Sequence, residues 1–304
     1  MNISILQSPD WISFQRHLGR KVFHYEKDGV IDCQAIQHRL PVRAYLYIPY
    51  GPTINSGVAG CGSLCPEFKK WLLETCKNEK LAFIKAEPTD NKVGDFLISL
   101  GFHHSQFSIQ PRRTVVLDLT GSEEEILARM HHKTRYNIKI ANRNSIEVSN
   151  KGTQEEFLGL LEKTVRRDDF RSHPPEYFSE MFKFFGGNDS FRPVIWCAKK
   201  GDIPVAAAVV IIYKDTGYYL YGASDYNFRA LMGPYLLHWS IIKDLRANGA
   251  SKYDLWGINP SRWPGVTRFK LGWGGHIVEY PGTFEYPVSR IWHLGYSIYK
   301  SLFR

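Results

Sequence analysis

Cysteine is scarce in this 304-residue sequence: there are five, an odd number that does not suit a secreted disulfide framework. Cys33, Cys76 and Cys197 sit inside apolar runs and read as core thiols. The other two, in Cys61-Gly-Ser-Leu-Cys65, have no second Cys/His pair nearby at ligand spacing, so no metal is expected. Long apolar runs are missing as well. The longest, Ile203 to Tyr213, is too short for a membrane-spanning helix of ~20 residues, and its β-branched content predicts a buried strand. The opening Met1-Asn-Ile-Ser-Ile-Leu has neither the basic region nor the apolar stretch of a signal peptide, so a cytoplasmic protein is expected. No Gly-x-Ser-x-Gly elbow, Walker loop or dinucleotide fingerprint occurs. The adjacent pairs His103-His104 and His131-His132 point in different directions on any regular element and read as surface residues.

Acidic residues are the minority, 30 against 39 Lys and Arg, which leaves a formal net charge of +9. That excess suits a polyanionic partner: nucleic acid, a nucleotide-linked substrate or a membrane surface. Enzymes of small phosphorylated substrates are often as basic, so charge alone leaves the partner open. With 43% hydrophobic and 23% charged residues the composition is globular, and at ~100–200 residues per domain the length allows one large domain or two modest ones.

The two halves share a rhythm. In the first, Lys21 to His38 carries a Lys27-Asp28-Gly29 turn between two strand-like runs, followed by a third run, Arg43 to Ile48. A helix over Glu67 to Asn78, a strand Leu81 to Lys85, a helix Lys92 to Leu100 stopped by Gly101, and a strand Thr114 to Leu119 come next. In the second, Val194–Ala198 and Val205–Tyr213 flank the turn 199–202, and Gly217 to Tyr221 makes a third strand. A helix over Leu231 to Asn248 ends at Gly249, and the strand Lys252 to Trp256 follows it. Hairpin, third strand, helix, strand is the skeleton of the acetyltransferase (GNAT) fold. The fold class expected is therefore α+β, with two tandem GNAT-like domains whose mixed sheets are flanked by helices; the alternative is a coincidental rhythm in another α+β protein.

Between the halves, Ser122 and Glu125 form a capping box that starts a helix. Its charge then reverses, with Arg129, Lys133, Arg135, Lys139 and Arg143 toward the end that the helix dipole favours for cations. Two readings stay open: a well-capped surface helix, or a basic face that meets phosphates. The turn before the second-half helix, Phe228-Arg229-Ala-Leu-Met-Gly233-Pro234, offers one arginine and one glycine. It lacks the second glycine of a CoA-holding turn, and Pro234 removes a backbone donor. That suggests acyl transfer from another donor.

Several stretches, in order along nearly the whole chain, resemble one family. They are Gln7 to Trp11, Tyr47-Ile-Pro-Tyr-Gly51-Pro52, Arg113 to Thr120, Lys133-Thr-Arg-Tyr-Asn-Ile-Lys-Ile-Ala141, Tyr219 to Ser224, Gly233 to Trp239, Tyr253 to Gly257, and Arg268-Phe269-Lys270-Leu-Gly-Trp273-Gly-Gly275. The pattern resembles the FemX/FemA/FemB aminoacyltransferases, and the lack of a sustained heptad run matches their short form without a coiled-coil arm. The resemblance implies two acetyltransferase-like domains, 1–147 with 283–304 and 148–282, the segment from Ser289 packing back on the first. It implies transfer of an amino acid from aminoacyl-tRNA to the stem-peptide amine of a peptidoglycan precursor, UDP-MurNAc-pentapeptide or lipid II, building the interpeptide bridge. No cofactor is implied, a monomer is expected, and the precursor's carrier leaves room for peripheral contact with the inner membrane face.

By the same resemblance, Lys270 stabilises the tetrahedral intermediate and Phe269 recognises the tRNA 3′ end. Thr164, Arg166 and Phe170 occupy the places of a muropeptide-holding set, with Phe170 replacing a tyrosine. Tyr221 matches a second acceptor-binding tyrosine, and Arg16 a basic residue after the N-terminal motif. Lys133, Arg135 and Lys139 are candidates for tRNA or phosphate binding. Ordinary roles compete for each: Arg166 could pair with Asp168 or Asp169, and Tyr221 could be core. Two other functions compete with the whole: an acyltransferase that uses acyl-CoA on an exopolysaccharide or another acceptor, and a non-catalytic RNA- or wall-binding scaffold.

Overall fold

The computed structural model describes residues 4–55, 64–168 and 170–302. It divides into two compact units, Met1–Arg112 with Glu279–Arg304, and Arg113–Val278. After a 3-10 turn at Ile5–Gln7, the first unit runs α1 (Pro9–His17), β1 (Val22–Lys27), β2 (Ile31–Arg39), β3 (Ala44–Pro49), β4 (Thr53–Ile54), α2 (Leu64–Asn78), β5 (Phe83–Glu87), α3 (Asn91–Ser99) and β6 (His103–Ser105). The second opens with β7 (Arg113–Asp118), α4 (Glu123–Arg129), α5 (His132–Arg143), β8 (Ile146–Ser149), α6 (Gln154–Asp168) and α7 (Pro175–Phe184). It continues with β9 (Phe191–Lys200), β10 (Ile203–Tyr213), β11 (Thr216–Ser224), a 3-10 turn (Tyr226–Leu231), α8 (Gly233–Ala247), β12 (Lys252–Gly257), α9 (Pro264–Leu271) and β13 (His276–Glu279). The chain returns to the first unit with β14 (Thr283–Pro287) and α10 (Arg290–Leu302).

Local chemistry explains the skeleton. Asp28 and Gly29 both take positive φ (53° and 65°), the left-handed pair whose twist matches a hairpin, and Val30 N–H closes the turn onto Lys27 O at 2.8 Å. The apolar run Ile203 to Tyr213 is β10, a central strand of its sheet with Val205 to Ile211 buried. The basic segment forms two helices rather than one. Met130 is extended, His131 Nδ1 accepts the Lys133 N–H at 3.2 Å as the cap of α5, and the Arg135 guanidinium donates to the carbonyls of Leu127 and Met130. A side-chain cap at each broken end satisfies groups that a continuous helix would have paired internally.

The strand orders are β1-β2-β3-β5-β14-β6, with β4 beside β2, and β13-β7-β12-β11-β10-β9-β8. Each sheet has one parallel pair at its centre, β3/β5 and β11/β12. The neighbour of that pair comes from elsewhere in the chain. β14 follows the whole second unit, and β7 precedes the hairpin of its own sheet. Residues 113–147 pair and pack with the second unit, and the two compact units divide after Arg112, where the resemblance implied a boundary after residue 147. A strand read as closing the first half belongs to the other sheet, because hydrophobic periodicity marks a strand without naming its partner.

The two parallel pairs differ. β3 and β5 stay in register to their last residues, Pro49 against Glu87. β11 and β12 pair over Thr216–Tyr218 and Lys252–Asp254 only, although β11 runs on to Ser224. Both strands bulge just past the last shared pair. Leu220 is the extra residue of β11 against β10, and β12 slips against β7 between Asp254 and Gly257. Bulges bend a strand and increase its twist, so the two part.

In the first unit the matching end is occupied by the Glu87 carboxylate. It accepts hydrogen bonds from Tyr47 Oη (2.5 Å), Ile109 N (2.6 Å), Gln110 N (2.9 Å) and Thr283 Oγ1 (2.8 Å). Removing such an acceptor leaves several buried donors without a partner, each costing ~1–3 kcal/mol. Glu87→Ala is therefore expected to lower the unfolding free energy by at least ~3 kcal/mol in urea titration. A loss within ~0.5 kcal/mol, the range of an ordinary surface change, would contradict that role.

Candidate active site

Lys270 lies on α9 with its side chain 7% exposed, in the gap left where β11 and β12 part. Its ammonium donates to Gly257 O at the end of β12 (2.8 Å) and sits 5.5 Å above the Tyr219 ring of β11. A buried ammonium is costly to keep charged. Burial brings the Lys270 pKa down to about 8, with the Asp254 carboxylate pulling the other way. Asp254 is itself raised by burial, against hydrogen bonds from Thr114 Oγ1 and Trp256 N–H. His238 is pushed down to about 3 by burial and by Lys270, so it stays neutral beside Tyr253, whose hydroxyl is 2.9 Å from His238 Nδ1. Lys270 thus carries a charge that switches at about 8 in this buried cluster. The sign follows: below about 8 the folded protein holds a desolvated cation, and that cost is relieved as pH rises from about 8 toward the ordinary lysine value.

Phe269, the preceding residue, faces elsewhere. Its ring meets Tyr235 edge-on at 5.1 Å and His238 at 5.3 Å. It forms one wall of a cavity of about 510 Å³ whose other walls include Val205, Asp225, Tyr226, Arg229 and Pro234. The cavity opens at the first turn of α8. There Met232 takes a left-handed φ of 56° and Pro234 offers no N–H, so this helix start is a poor diphosphate cradle. Arg229 lines the cavity instead, and two further cations sit against its lining residues. Arg229 and Arg167 lie 4.3 and 5.8 Å from the Tyr226 ring, and Lys163 pairs with Asp225 at 2.7 Å.

The structure sorts the expected acceptor residues. Thr164 is buried where α6 meets β11. Its hydroxyl lies 2.9 Å from Leu160 O and 3.2 Å from Ser224 O, and it accepts the Ser224 N–H at 3.0 Å. Arg166 points outward, 78% exposed, and pairs with Glu162 at 2.6 Å. Arg167 is the arginine turned to the cavity side. It forms a two-pronged pair with Asp168 and reaches Ser224 O at 3.4 Å. Tyr221 stands in an aromatic cluster, 5.0 Å from Phe178 and with its hydroxyl 3.4 Å from that of Tyr177. Phe170 is exposed, and Asp169 lies outside the described residues.

The remaining candidates lie on other elements. Arg16 is exposed on the last turn of α1 in the first unit. Lys133 and Lys139 are exposed on α5, while Arg135 is spent on the α4 carbonyls. Cys33, Cys76 and Cys197 are buried thiols, and burial pushes the latter two up to about 12; Cys61 lies outside the described residues. Among the described residues, His103, Glu285 and His293 are close enough to share an ion. The Lys85 ammonium already lies 2.7 Å from that carboxylate and His293 Nε2 at 2.7 Å from its other oxygen, so the group reads as the clasp that holds α10 to the first sheet.

Sequence reasoning did not single out Lys163, Arg167, Asp225 and Tyr226, and met Arg229 only as part of the turn before α8. One signal was available: residues three apart share a helix face, which puts Arg167, not Arg166, on the face of buried Thr164. Arg167→Ala is expected to weaken a phosphate-bearing ligand in this cavity by ~1.5–3 kcal/mol, the range of a lost charged hydrogen bond. Arg166→Ala, which removes an exposed pair, should change it by less than ~0.5 kcal/mol. Calorimetric titration with a UDP-linked muropeptide, the ligand the resemblance implies, reads the difference, and a larger effect at Arg166 would reverse the ranking.

Comparison with known proteins bears on the family and the fold. A Lipid II:glycine glycyltransferase of Staphylococcus haemolyticus is 24% identical over 95% of this chain and 89% of its own. The crystal structure of FemX superposes with a TM-score of 0.78 at 20% identity, covering 93% of this chain and 92% of that one. A tandem GNAT protein from the clavulanic acid biosynthesis pathway superposes with a TM-score of 0.56 at 11% identity, over 87% and 81%. The two-unit α+β architecture is therefore a tandem GNAT-like fold. The FemAB family model matches residues 68–194 and 193–301, and the chain belongs to the FemAB family.

Proposed function

We propose that this protein is an aminoacyltransferase of peptidoglycan synthesis, which moves an amino acid from aminoacyl-tRNA to the stem-peptide amine of a cell-wall precursor and so builds the interpeptide bridge. The observation that carries the reading is Lys270: one buried, titratable cation in the gap between the parted strands of the second unit. The precursor is drawn as lipid II, the substrate in the name of the S. haemolyticus relative, with the UDP-linked form as the second arm of the test.

The chemistry asks little of the protein. The donor is an ester and already activated. The acceptor amine attacks its carbonyl carbon, a C–N bond forms, and the carbonyl oxygen takes the charge. Collapse breaks the C–O bond to the ribose, and the proton lost by the amine ends on the departing hydroxyl. No bond in this sequence calls for a cofactor. What helps is alignment and a fixed positive charge at the oxyanion. Lys270 supplies that charge, and its lowered pKa suits it to pass a proton to the leaving oxygen. Phe269 offers a ring on which the terminal adenine stacks, while Arg167, beside Thr164, and its neighbours Lys163 and Arg229 meet the diphosphate of the precursor. The exposed Lys133 and Lys139 add to the basic surface available to tRNA. The rival reading, acyl transfer from CoA, is disfavoured by the α8 turn, where Pro234 and the left-handed Met232 replace a run of donors.

Incubation with a mixture of charged tRNAs, lipid II and UDP-MurNAc-pentapeptide, followed by mass spectrometry, names both the residue added and the acceptor. CoA binding with no effect of charged tRNA would overturn the proposal. Lys270→Ala is expected to lose at least ~100-fold in kcat while still binding precursor, as for loss of one oxyanion donor. A folded variant with near-wild-type turnover would remove Lys270 from the mechanism. In the wild type, kcat should fall as pH rises through about 8, where the ammonium is lost, and the residual activity of Lys270→Ala should show no such step.

A further inference from the structure

The helix α10 has a well-anchored side and a bare one. On the anchored side Tyr296 packs 4.7 Å from Phe83 and 6.1 Å from Tyr45, and His293 bonds the buried Glu285. On the other, Ile291, Leu294 and Ile298 fall at helical spacing and are 83%, 60% and 52% exposed. Trp292 extends this stripe, and the Arg43 guanidinium lies over its ring at 5.2 Å. Arg43 ends the β2–β3 loop, whose tip, Val42, is 73% exposed between Arg39 and Arg43. Two separate parts of the first unit therefore hold bare apolar side chains next to cations.

Charge decides what covers this face. From residue 286 to 304 the sequence has no Asp or Glu, while Arg290 and Lys300 are exposed at the two ends of α10. Beside the loop lies a shallow groove of about 320 Å³ with Arg39, Arg43 and Lys80 in its walls. Its carboxylate, Glu79, is already paired with Lys21 at 2.5 Å. A second copy of the chain would bring cations against cations. An anionic surface with an apolar interior meets both requirements, which is how a helix with an apolar stripe and a cationic rim sits in a bilayer interface.

We propose that α10 and the β2–β3 loop form a membrane-docking face, with Ile291, Leu294, Ile298 and Val42 entering the acyl boundary of an anionic bilayer and Arg39, Arg43, Arg290 and Lys300 meeting lipid phosphates. Docking holds the protein on the surface where a lipid-linked substrate resides, but it is a property of the first unit and stands apart from the reaction assigned above.

Flotation of the whole protein with vesicles of phosphatidylglycerol and phosphatidylcholine, containing no precursor, tests it. The wild type should float with anionic vesicles, much less with phosphatidylcholine alone, and less at high salt. Leu294→Asp/Ile298→Asp and, separately, Val42→Asp should each lower vesicle binding by at least ~10-fold. Their thermal melting and their turnover on the water-soluble UDP-linked acceptor should stay at wild-type levels. Wild-type protein that does not float, or variants that float equally well, would overturn the proposal. A concentration-dependent dimer that Leu294→Asp abolishes would assign the face to a second copy and overturn it as well. Because the vesicles hold no precursor, failure here leaves the assigned reaction untouched, and failure of that reaction leaves the docking result standing.

Discussion

The second unit is organised around two parallel strands that stop pairing. After Tyr218 and Asp254, each strand inserts a bulge, and the backbone groups that a regular sheet would have matched need other partners. Side chains provide them. Asp254 takes the Trp256 N–H, and Lys270 reaches across from α9 to the Gly257 carbonyl. The left-handed Trp256 (φ 59°) is a strain that this arrangement must sustain. The apolar surroundings then follow from the need to seat the ammonium: Tyr219 below it, and a neutral His238 packed with Trp273 and Phe269 on the far side. A low-dielectric setting makes the charge expensive for the fold and strong toward anything negative that forms beside it.

The first unit shows what the same skeleton does without that gap. Its parallel pair stays closed to the end, and a carboxylate with four donors fills the position. Gln7 adds a second closure: its side-chain amide donates to Gln34 O and Pro49 O and accepts from Gln34 N–H. Gly51 sits so tightly on Gln7 that a Cβ there would come within 2.5 Å of its side chain. The motif residues Gln7 and Tyr50 to Pro52 therefore serve closure in the first half, while those around Phe269 and Lys270 serve an open site in the second.

Much of this was legible beforehand because it depends on near neighbours in sequence. The Asp28-Gly29 hairpin, the Ser122/Glu125 capping box and the buried run of β10 are each written in a few adjacent residues, and each took the expected form. The Phe269-Lys270 pair stood out through a motif. What depended on distant pairing was harder. Thr114 to Leu119 reads as a strand, but nothing in those residues says that β12, about 140 positions later, is its partner. The break at Met130 hid for a similar reason: it is stabilised by Arg135 reaching back along the chain, and no Pro or Gly marks it. Choosing between Arg166 and Arg167 required knowing which face of α6 is buried, which the helical spacing of Phe157, Leu160, Leu161 and Thr164 indicates but a motif match does not.

The late return of β14 to the first sheet has a consequence for how the chain comes together. The core of the first sheet ends at β5, which has no neighbour on that side until β14 emerges, some two hundred residues later. During synthesis the first unit therefore waits with an open, hydrogen-bonding edge while the second is made, a condition that invites wrong pairing. The sequence separation of the β5–β14 contact also places its loop-closure cost late in assembly, so completion of the first unit is expected to be the slow event. The second unit, contiguous from Arg113 to Val278, can close its sheet by itself, whereas the first has to wait for the chain to return.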